Sequence, residues 1–176
     1  CGASGDAIKF LREHDGLTFM EAIERLASIA NVEIPKSYSK KNDSSKKLYQ
    51  VNDIIKKHYV QNLQSNTNAM DYLKNRGITS ELIKKFDIGV ANDSWDSATN
   101  ILKRNNQLKD GLKIGLLVES KGKVYDRFRN RIMFPIKNTS GNIIAFGGRA
   151  LKKDDNAKYI NSPESDLFYK SAELYG

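Results

Sequence analysis

Near Asp87 the chain changes from apolar residues at helical spacing to short apolar runs separated by turn sequences. Before this point, periodicity and capping residues predict helices starting near Ala7 and Phe19 and at residues 48–63, 68–75 and 80–86. After it, strands are predicted at residues 88–90, 114–119, 124–126, 132–136 and 143–146, with a helix at 96–105. Helices followed by strands predict an α+β protein with a small mixed sheet.

A polar stretch divides the chain. Residues 35–47 are mainly Lys, Ser, Asn and Asp, with almost nothing to bury, so they are predicted to form a flexible linker. Residues 1–34 and 48–176 then form separate units.

Composition narrows the class of protein. With 176 residues and 39% hydrophobic content, the chain can bury one ordinary core. The net charge of +8 favours a polyanionic partner, most commonly nucleic acid. No apolar run approaches the length of a membrane span or signal segment, and one cysteine cannot form an internal disulfide. We therefore expect a cytoplasmic protein.

Cations alternate with aromatic residues in the last third of the chain, as a groove for single-stranded nucleic acid requires. Arg127, Arg129 and Arg131 occupy alternate positions, so in an extended segment they would project to one side at intervals of about 6.6 Å. Guanidinium groups suit phosphates because they donate two parallel hydrogen bonds. The alternative is a solvated sheet face with salt bridges to Asp126 and Glu119.

Two further blocks carry candidate binding residues. Gly147-Gly148-Arg149 would let the backbone approach a ligand beside an arginine, although a tight turn with an exposed arginine is the alternative. Lys158, Tyr159 and Asn161 combine a cation, a ring and an amide, which favours a nucleotide or template contact. An ordinary Asn-Ser-Pro turn is the alternative there.

Catalytic patterns are absent from the sequence. His14 and His58 fall in predicted helices without a companion at ligand spacing, and we interpret both as structural or exposed. No Walker-type loop or paired carboxylates stand out, and Asp154-Asp155 is interpreted as a solvated turn. We expect no catalytic residue within this chain.

Taken in order, several blocks resemble bacterial DNA primases of the DnaG type. The matching blocks are Cys1-Gly2-Ala3 to Phe10, Arg76-Gly77-Ile78-Thr79, Tyr125 to Ile136, Phe146-Gly147-Gly148-Arg149, Lys158 to Glu164, and Phe168-Tyr169-Lys170 with Leu174-Tyr175-Gly176. They span the whole chain in family order.

The resemblance implies a domain arrangement and metal sites. Residues 1–34 would be the short helical tail of a zinc ribbon, with Cys1 as the last of four zinc ligands and the others preceding it. Residues 48–176 would be the N-terminal basic subdomain of the RNA polymerase domain. A TOPRIM subdomain would follow residue 176, and its acidic residues would hold Mg²⁺ or Mn²⁺.

The resemblance also implies the activity: a nucleotidyltransferase that synthesises short RNA primers on single-stranded DNA for replication. Its partners would be template, ribonucleoside triphosphates, RNA primer and, through a region outside this chain, the replicative helicase. A monomer away from membranes is expected. The implied template and nucleotide contacts are Arg76, Arg127, Arg129, Arg131, Arg149, Lys158, Tyr159, Asn161 and Lys170. A non-enzymatic single-strand-binding module and a phage-type primase fused to a helicase are the alternatives.

Overall fold

The computed structural model describes residues 5–15, 17, 19–34, 36–152 and 157–169. Its helices are α1 (Ala7–His14), α2 (Phe19–Ala30), α3 (Lys36–Gln64), α4 (Thr67–Asn75), α5 (Ser80–Lys85), α6 (Ser97–Arg104) and α7 (Leu108–Lys113). Its strands are β1 (Gly89–Ala91), β2 (Leu117–Ser120), β3 (Lys123–Asp126), β4 (Arg131–Lys137), β5 (Ile143–Ala150) and β6 (Tyr159–Asn161). The α+β prediction is confirmed. Within the described ranges, no helix has the length and apolarity to cross a membrane.

Local capping signals position the short helices as predicted. The Asp6 carboxylate accepts from the backbone N–H of Lys9, and the Thr79 hydroxyl accepts from that of Leu82. Gly77, with φ of +74°, follows the end of α4 in the left-handed conformation typical of this position. The predicted cap Thr18 lies outside the described residues.

Residues 36–47, which were predicted to form most of a flexible linker, have a helical backbone and form the first part of α3. No proline or glycine interrupts residues 36–64, and lysine and glutamine are good helix formers. Further along α3, one face is buried; it consists of Leu48, Val51, Ile55, Tyr59 and Leu63. The division into residues 1–34 and 48–176 stays a prediction.

Helix α7 and strand β6 were not predicted, because both depend on tertiary contacts. In α7, Gly111 is buried so closely against α6 that a Cβ atom there would lie 2.5 Å from Leu102 Cδ1. Strand β6 forms by pairing with the end of β5, where Tyr159 stands opposite Arg149. Neither segment carries a local pattern strong enough to predict it.

The strands form two antiparallel sheets rather than the mixed sheet that was expected. One has the order β1-β4-β5-β6 and the other pairs β2 with β3. Neighbouring residues of β4 point to opposite faces of the larger sheet. Met133 packs into a core that includes α3 and α6, whereas Ile132 packs into a second core with α4. Both faces of this sheet are therefore buried.

Gly115 connects two segments that carry predicted site residues. Its carbonyl accepts a 2.6 Å hydrogen bond from Arg127 Nε, and its Cα lies against Pro163. The backbone is left-handed there, with φ of +71°, and a Cβ atom would lie 2.2 Å from Pro163 Cγ. Only glycine fits this position.

Gly115→Ala is expected to lower the free energy of unfolding by about 2–4 kcal/mol, since backbone strain and steric overlap add. Gly122→Ala is the matched control, because Gly122 has the same φ of +71° and nothing within 4 Å of the added Cβ. It should cost only about 1–2 kcal/mol. Urea unfolding of both variants measures the difference, and equal losses would contradict this account of Gly115.

Candidate nucleic-acid interface

An exposed tryptophan and an arginine form the first cation–aromatic group, here named the Trp95 cluster (Trp95, Tyr125 and Arg129). The Arg129 guanidinium carbon lies 3.8 Å from the Trp95 ring centroid and 5.7 Å from that of Tyr125. The two rings meet edge to face, with centroids 5.5 Å apart. Because Trp95 is 62% exposed, the cluster offers solvent an aromatic ring beside a cation.

The backbone around β3 positions this cluster. Trp95 lies between β1 and α6, and its carbonyl accepts a 2.8 Å hydrogen bond from the N–H of Asp126, the last residue of β3. Arg129 Nη1 donates to the carbonyl of Asp126. Both side chains are thus held next to the end of the same strand.

The second group, named the Tyr159 cluster, contains Tyr72, Arg76, Arg149, Lys158 and Tyr159. Arg149 lies between two rings, with its guanidinium carbon 5.3 Å from the Tyr72 centroid and 5.0 Å from that of Tyr159, and it donates to the Tyr159 hydroxyl. Arg76 lies 5.5 Å from the Tyr72 ring, and Lys158 Nζ lies 5.9 Å from the Tyr159 ring. Four predicted site residues therefore come together.

Strand pairing explains this arrangement. Arg149 and Tyr159 are directly opposed on β5 and β6, so their side chains lie on the same face of the sheet. Asn161, exposed and two positions further along β6, lies on that face opposite Gly147, where a Cβ atom would approach its Oδ1 to 3.2 Å. The face also carries α4, which contributes Tyr72.

Two buried polar atoms in the Tyr159 cluster lack partners within the described part of the chain. They are Arg149 Nε and the Tyr72 hydroxyl. Buried polar groups are usually hydrogen-bonded in folded proteins. Both atoms belong to side chains whose guanidinium and ring lie 5.3 Å apart, so the unpartnered groups are concentrated in this cluster.

The prediction that Arg127, Arg129 and Arg131 project to one side of an extended segment is wrong. Residues 127–130 connect β3 and β4 without being a strand, and Asn130 takes a left-handed φ of +51° that breaks the alternation. Arg131 is only 5% exposed, and its Nη1 donates to the carbonyl of Ala157. Arg127 donates to Gly115, and burial lowers the pKa of its guanidinium. Of the three, Arg129 is the one stacked on the aromatic rings.

Trp95 and Tyr72 are the residues that sequence reasoning missed. Trp95 is the chain's single tryptophan, and it stands in the polar stretch Asn92-Asp93-Ser94-Trp95-Asp96. A large aromatic residue among turn formers is a usable signal of an exposed ring. Tyr72 has no comparable signal, since it falls inside a helix with ordinary periodicity.

Some predicted residues lie outside the described ranges: Cys1, Asp154, Asp155 and Lys170. Within those ranges, no three His, Cys, Asp or Glu side chains converge as a metal site. The fold therefore offers no observation on which a zinc or magnesium site could be built here.

His58 links α3 to α6 beside the Trp95 cluster. Its Nε2 lies 2.8 Å from Ser97 Oγ and 3.1 Å from Asn62 Nδ2. Burial lowers the pKa of the imidazole below its ordinary value, although the charge of Asp126 acts in the opposite direction. A neutral imidazole that accepts from its neighbours fits the predicted structural role.

Family models match both parts of the chain. Residues 58–176 match the DNA primase catalytic core, N-terminal domain, and residues 1–44 match the CHC2 zinc finger. The first range contains both cation–aromatic clusters.

Individual proteins and structures similar to this chain are also DNA primases. A DNA primase from Halalkalibacterium halodurans is 48% identical over the whole chain, which covers 31% of the relative. The DnaG primase catalytic domain bound to ssDNA is 42% identical, with a TM-score of 0.69 over 76% of this chain and 44% of the other. The Aquifex aeolicus primase, with zinc-binding and RNA polymerase domains, is 35% identical, with a TM-score of 0.70 over 96% of this chain and 41% of the other.

The matched models and structures are those of primases, and one matched structure contains both a zinc-binding and an RNA polymerase domain. The chain belongs to the bacterial DNA primase family of the DnaG type. It spans about 30% of the length of the curated relatives, from 28% to 32%.

The lowered pKa of His58 predicts a pH dependence of stability. Unfolding restores the ordinary pKa of about 6.5, so the unfolded chain binds a proton that the folded chain excludes. Stability should therefore fall as the pH decreases through about 6.5, with a slope below the limit of about 1.4 kcal/mol per pH unit. Urea unfolding between pH 7.5 and about 5.5 measures it, and His58→Gln should flatten this slope. An unchanged slope in that variant would exclude His58 as the cause.

Proposed function

We propose that the chain supplies the template-binding part of a DNA primase, a DNA-directed RNA polymerase that makes short RNA primers on single-stranded DNA. Family membership supports the activity of the whole protein. The observation that carries the role of this chain is the pair of exposed cation–aromatic clusters, on a fold similar to a primase domain bound to single-stranded DNA.

In this proposal the Trp95 cluster contacts the template directly. Every base has an aromatic face, so stacking on Trp95 would be independent of sequence, at about 1–3 kcal/mol per base. Arg129 would pair with the adjacent phosphate through its planar guanidinium. A primase template groove needs this combination because it must accept many sequences.

The Tyr159 cluster would hold phosphates of the template or of an incoming ribonucleoside triphosphate. Arg76, Arg149 and Lys158 supply positive charge beside the face that carries Asn161. Lys170 joins this set through the family resemblance alone. Arg127 and Arg131 instead hold the surrounding backbone.

The metals and the remaining partners are also proposals. The zinc-finger match over residues 1–44 supports zinc with Cys1 as one ligand, and a structural zinc site needs four. Mg²⁺ or Mn²⁺, held by acidic residues in another part of the protein, would assist attack of a 3′-hydroxyl on an α-phosphate. The helicase contact and the monomeric state stand on the same resemblance, and the cytoplasmic location stands on the composition of the sequence.

Arg129→Ala should weaken binding of an oligo-dT strand about tenfold and reduce the log–log salt slope by about 0.7, the value for one lost phosphate contact. Lys57→Ala is the control because it removes the same charge from an exposed site, where Lys57 pairs with Asp53. Fluorescence anisotropy at several salt concentrations measures both. Equal effects of the two variants would mean that only net charge matters.

Primer synthesis by the full-length protein tests the activity. Ribonucleotide incorporation on a single-stranded template should require a divalent cation and should fall with Arg129→Ala. Strand binding without synthesis would instead favour the alternative of a non-enzymatic binding module.

A further inference from the structure

We propose that Asp126 is a positioning residue that holds the Trp95 cluster in the geometry required for stacking on a template base. The proposal rests on the proposed function, since it takes the Trp95 cluster as a template contact. Asp126 itself would not touch the template, because it is only 3% exposed.

The carboxylate of Asp126 caps helix α6 from a distant position in the chain. Oδ2 accepts a 2.7 Å hydrogen bond from the N–H of Ala98, and Oδ1 accepts 2.8 Å bonds from the N–H and the hydroxyl of Thr99. The local N-cap residue, Asp96, makes no side-chain capping bond. The negative charge lies at the helix N-terminus, where exposed N–H groups favour it.

The backbone of Asp126 also forms hydrogen bonds with Trp95 and with Arg129. Its N–H donates to the carbonyl of Trp95, and its carbonyl accepts from Arg129 Nη1. Two contacts with Asp126 therefore fix the backbone on the C-terminal side of Trp95. One is the hydrogen bond to the Trp95 carbonyl, and the other is the cap at Ala98 near the start of α6. Asp126 therefore connects the backbone of Trp95, the guanidinium of Arg129 and the start of α6.

This connection matters because the Trp95 ring has little packing of its own. With 62% of the residue exposed, its orientation depends on the backbone that carries it, on the edge contact with Tyr125 and on Arg129, which stacks on the ring. A ring that is ordered before binding loses less conformational freedom when a base stacks on it. Loosening the cap should therefore weaken binding even when the fold is intact.

Asp126→Asn tests the carboxylate and leaves both backbone bonds in place. The amide keeps the shape but turns an NH₂ group towards one of the α6 donors, which then lacks an acceptor. We expect oligo-dT affinity to fall about tenfold, within the range for one lost stacked base. Because the chain contains one tryptophan, its fluorescence reports on this cluster, and acrylamide quenching of the free protein should increase.

A double-mutant cycle with Trp95→Ala separates positioning from a general loss of stability. If Asp126 acts through Trp95, the double variant should bind as weakly as Trp95→Ala alone. Losses that multiply would overturn the proposal. If Trp95→Ala leaves affinity unchanged, the template contact proposed above is wrong, while the quenching result still tests whether Asp126 holds the ring.

Two further variants complete the test. Asn52→Ala removes a buried 2.9 Å hydrogen bond to the carbonyl of Ile143 and should lower stability without changing oligo-dT affinity. An equal loss of affinity there would attribute the effect to stability and overturn the proposal. If Asp126→Asn does not fold, Thr99→Val removes only the hydroxyl bond to Asp126, and a smaller loss of affinity with increased quenching is expected.

Discussion

Burial of both faces of the four-stranded sheet determines where this protein can bind a ligand. Met133 and Phe146 face one core and Ile132 faces the other, so most of both faces of the central strands is closed to solvent. Exposed polar and aromatic side chains are therefore restricted to the edges of the sheet and to its connections. The Tyr159 cluster lies at the β6 edge, and the Trp95 cluster lies between β1, α6 and the end of β3.

The positive charge of the chain is used in two different ways. Lys56, Lys57 and Lys137 form ion pairs with Asp53 and Asp87, in a group formed by α3, the turn that follows α5 and the end of β4. Arg129 and Arg149 instead lie on aromatic rings. A guanidinium on a ring places a cation beside an aromatic face, and a strand with phosphates and bases can use both groups at once. Net charge alone would not distinguish these surfaces.

Much of the fold could be predicted because short-range signals were strong. Helices α1, α2, α4, α5 and α6 follow from periodicity and caps such as Asp6 and Thr79, and most strands follow from apolar runs between turns. Of the candidate site, Arg76, Arg149, Lys158 and Tyr159 were recognised and do lie together. Helix α7 and strand β6 could not be predicted because α7 depends on close packing at the buried Gly111, and β6 depends on pairing with the end of β5.

The sequence by itself determined the α+β class, the basic character and the family, since these depend on composition, local periodicity and the order of motifs. Only the tertiary structure decided which of the clustered arginines lies on aromatic rings. Arg127, Arg129 and Arg131 occupy alternate positions in the sequence, yet Asn130 is left-handed, and the carbonyls of Gly115 and Ala157 accept hydrogen bonds from Arg127 and Arg131. The contacts of these side chains differ because partners outside the segment, and not the spacing of the arginines, determine what each guanidinium binds.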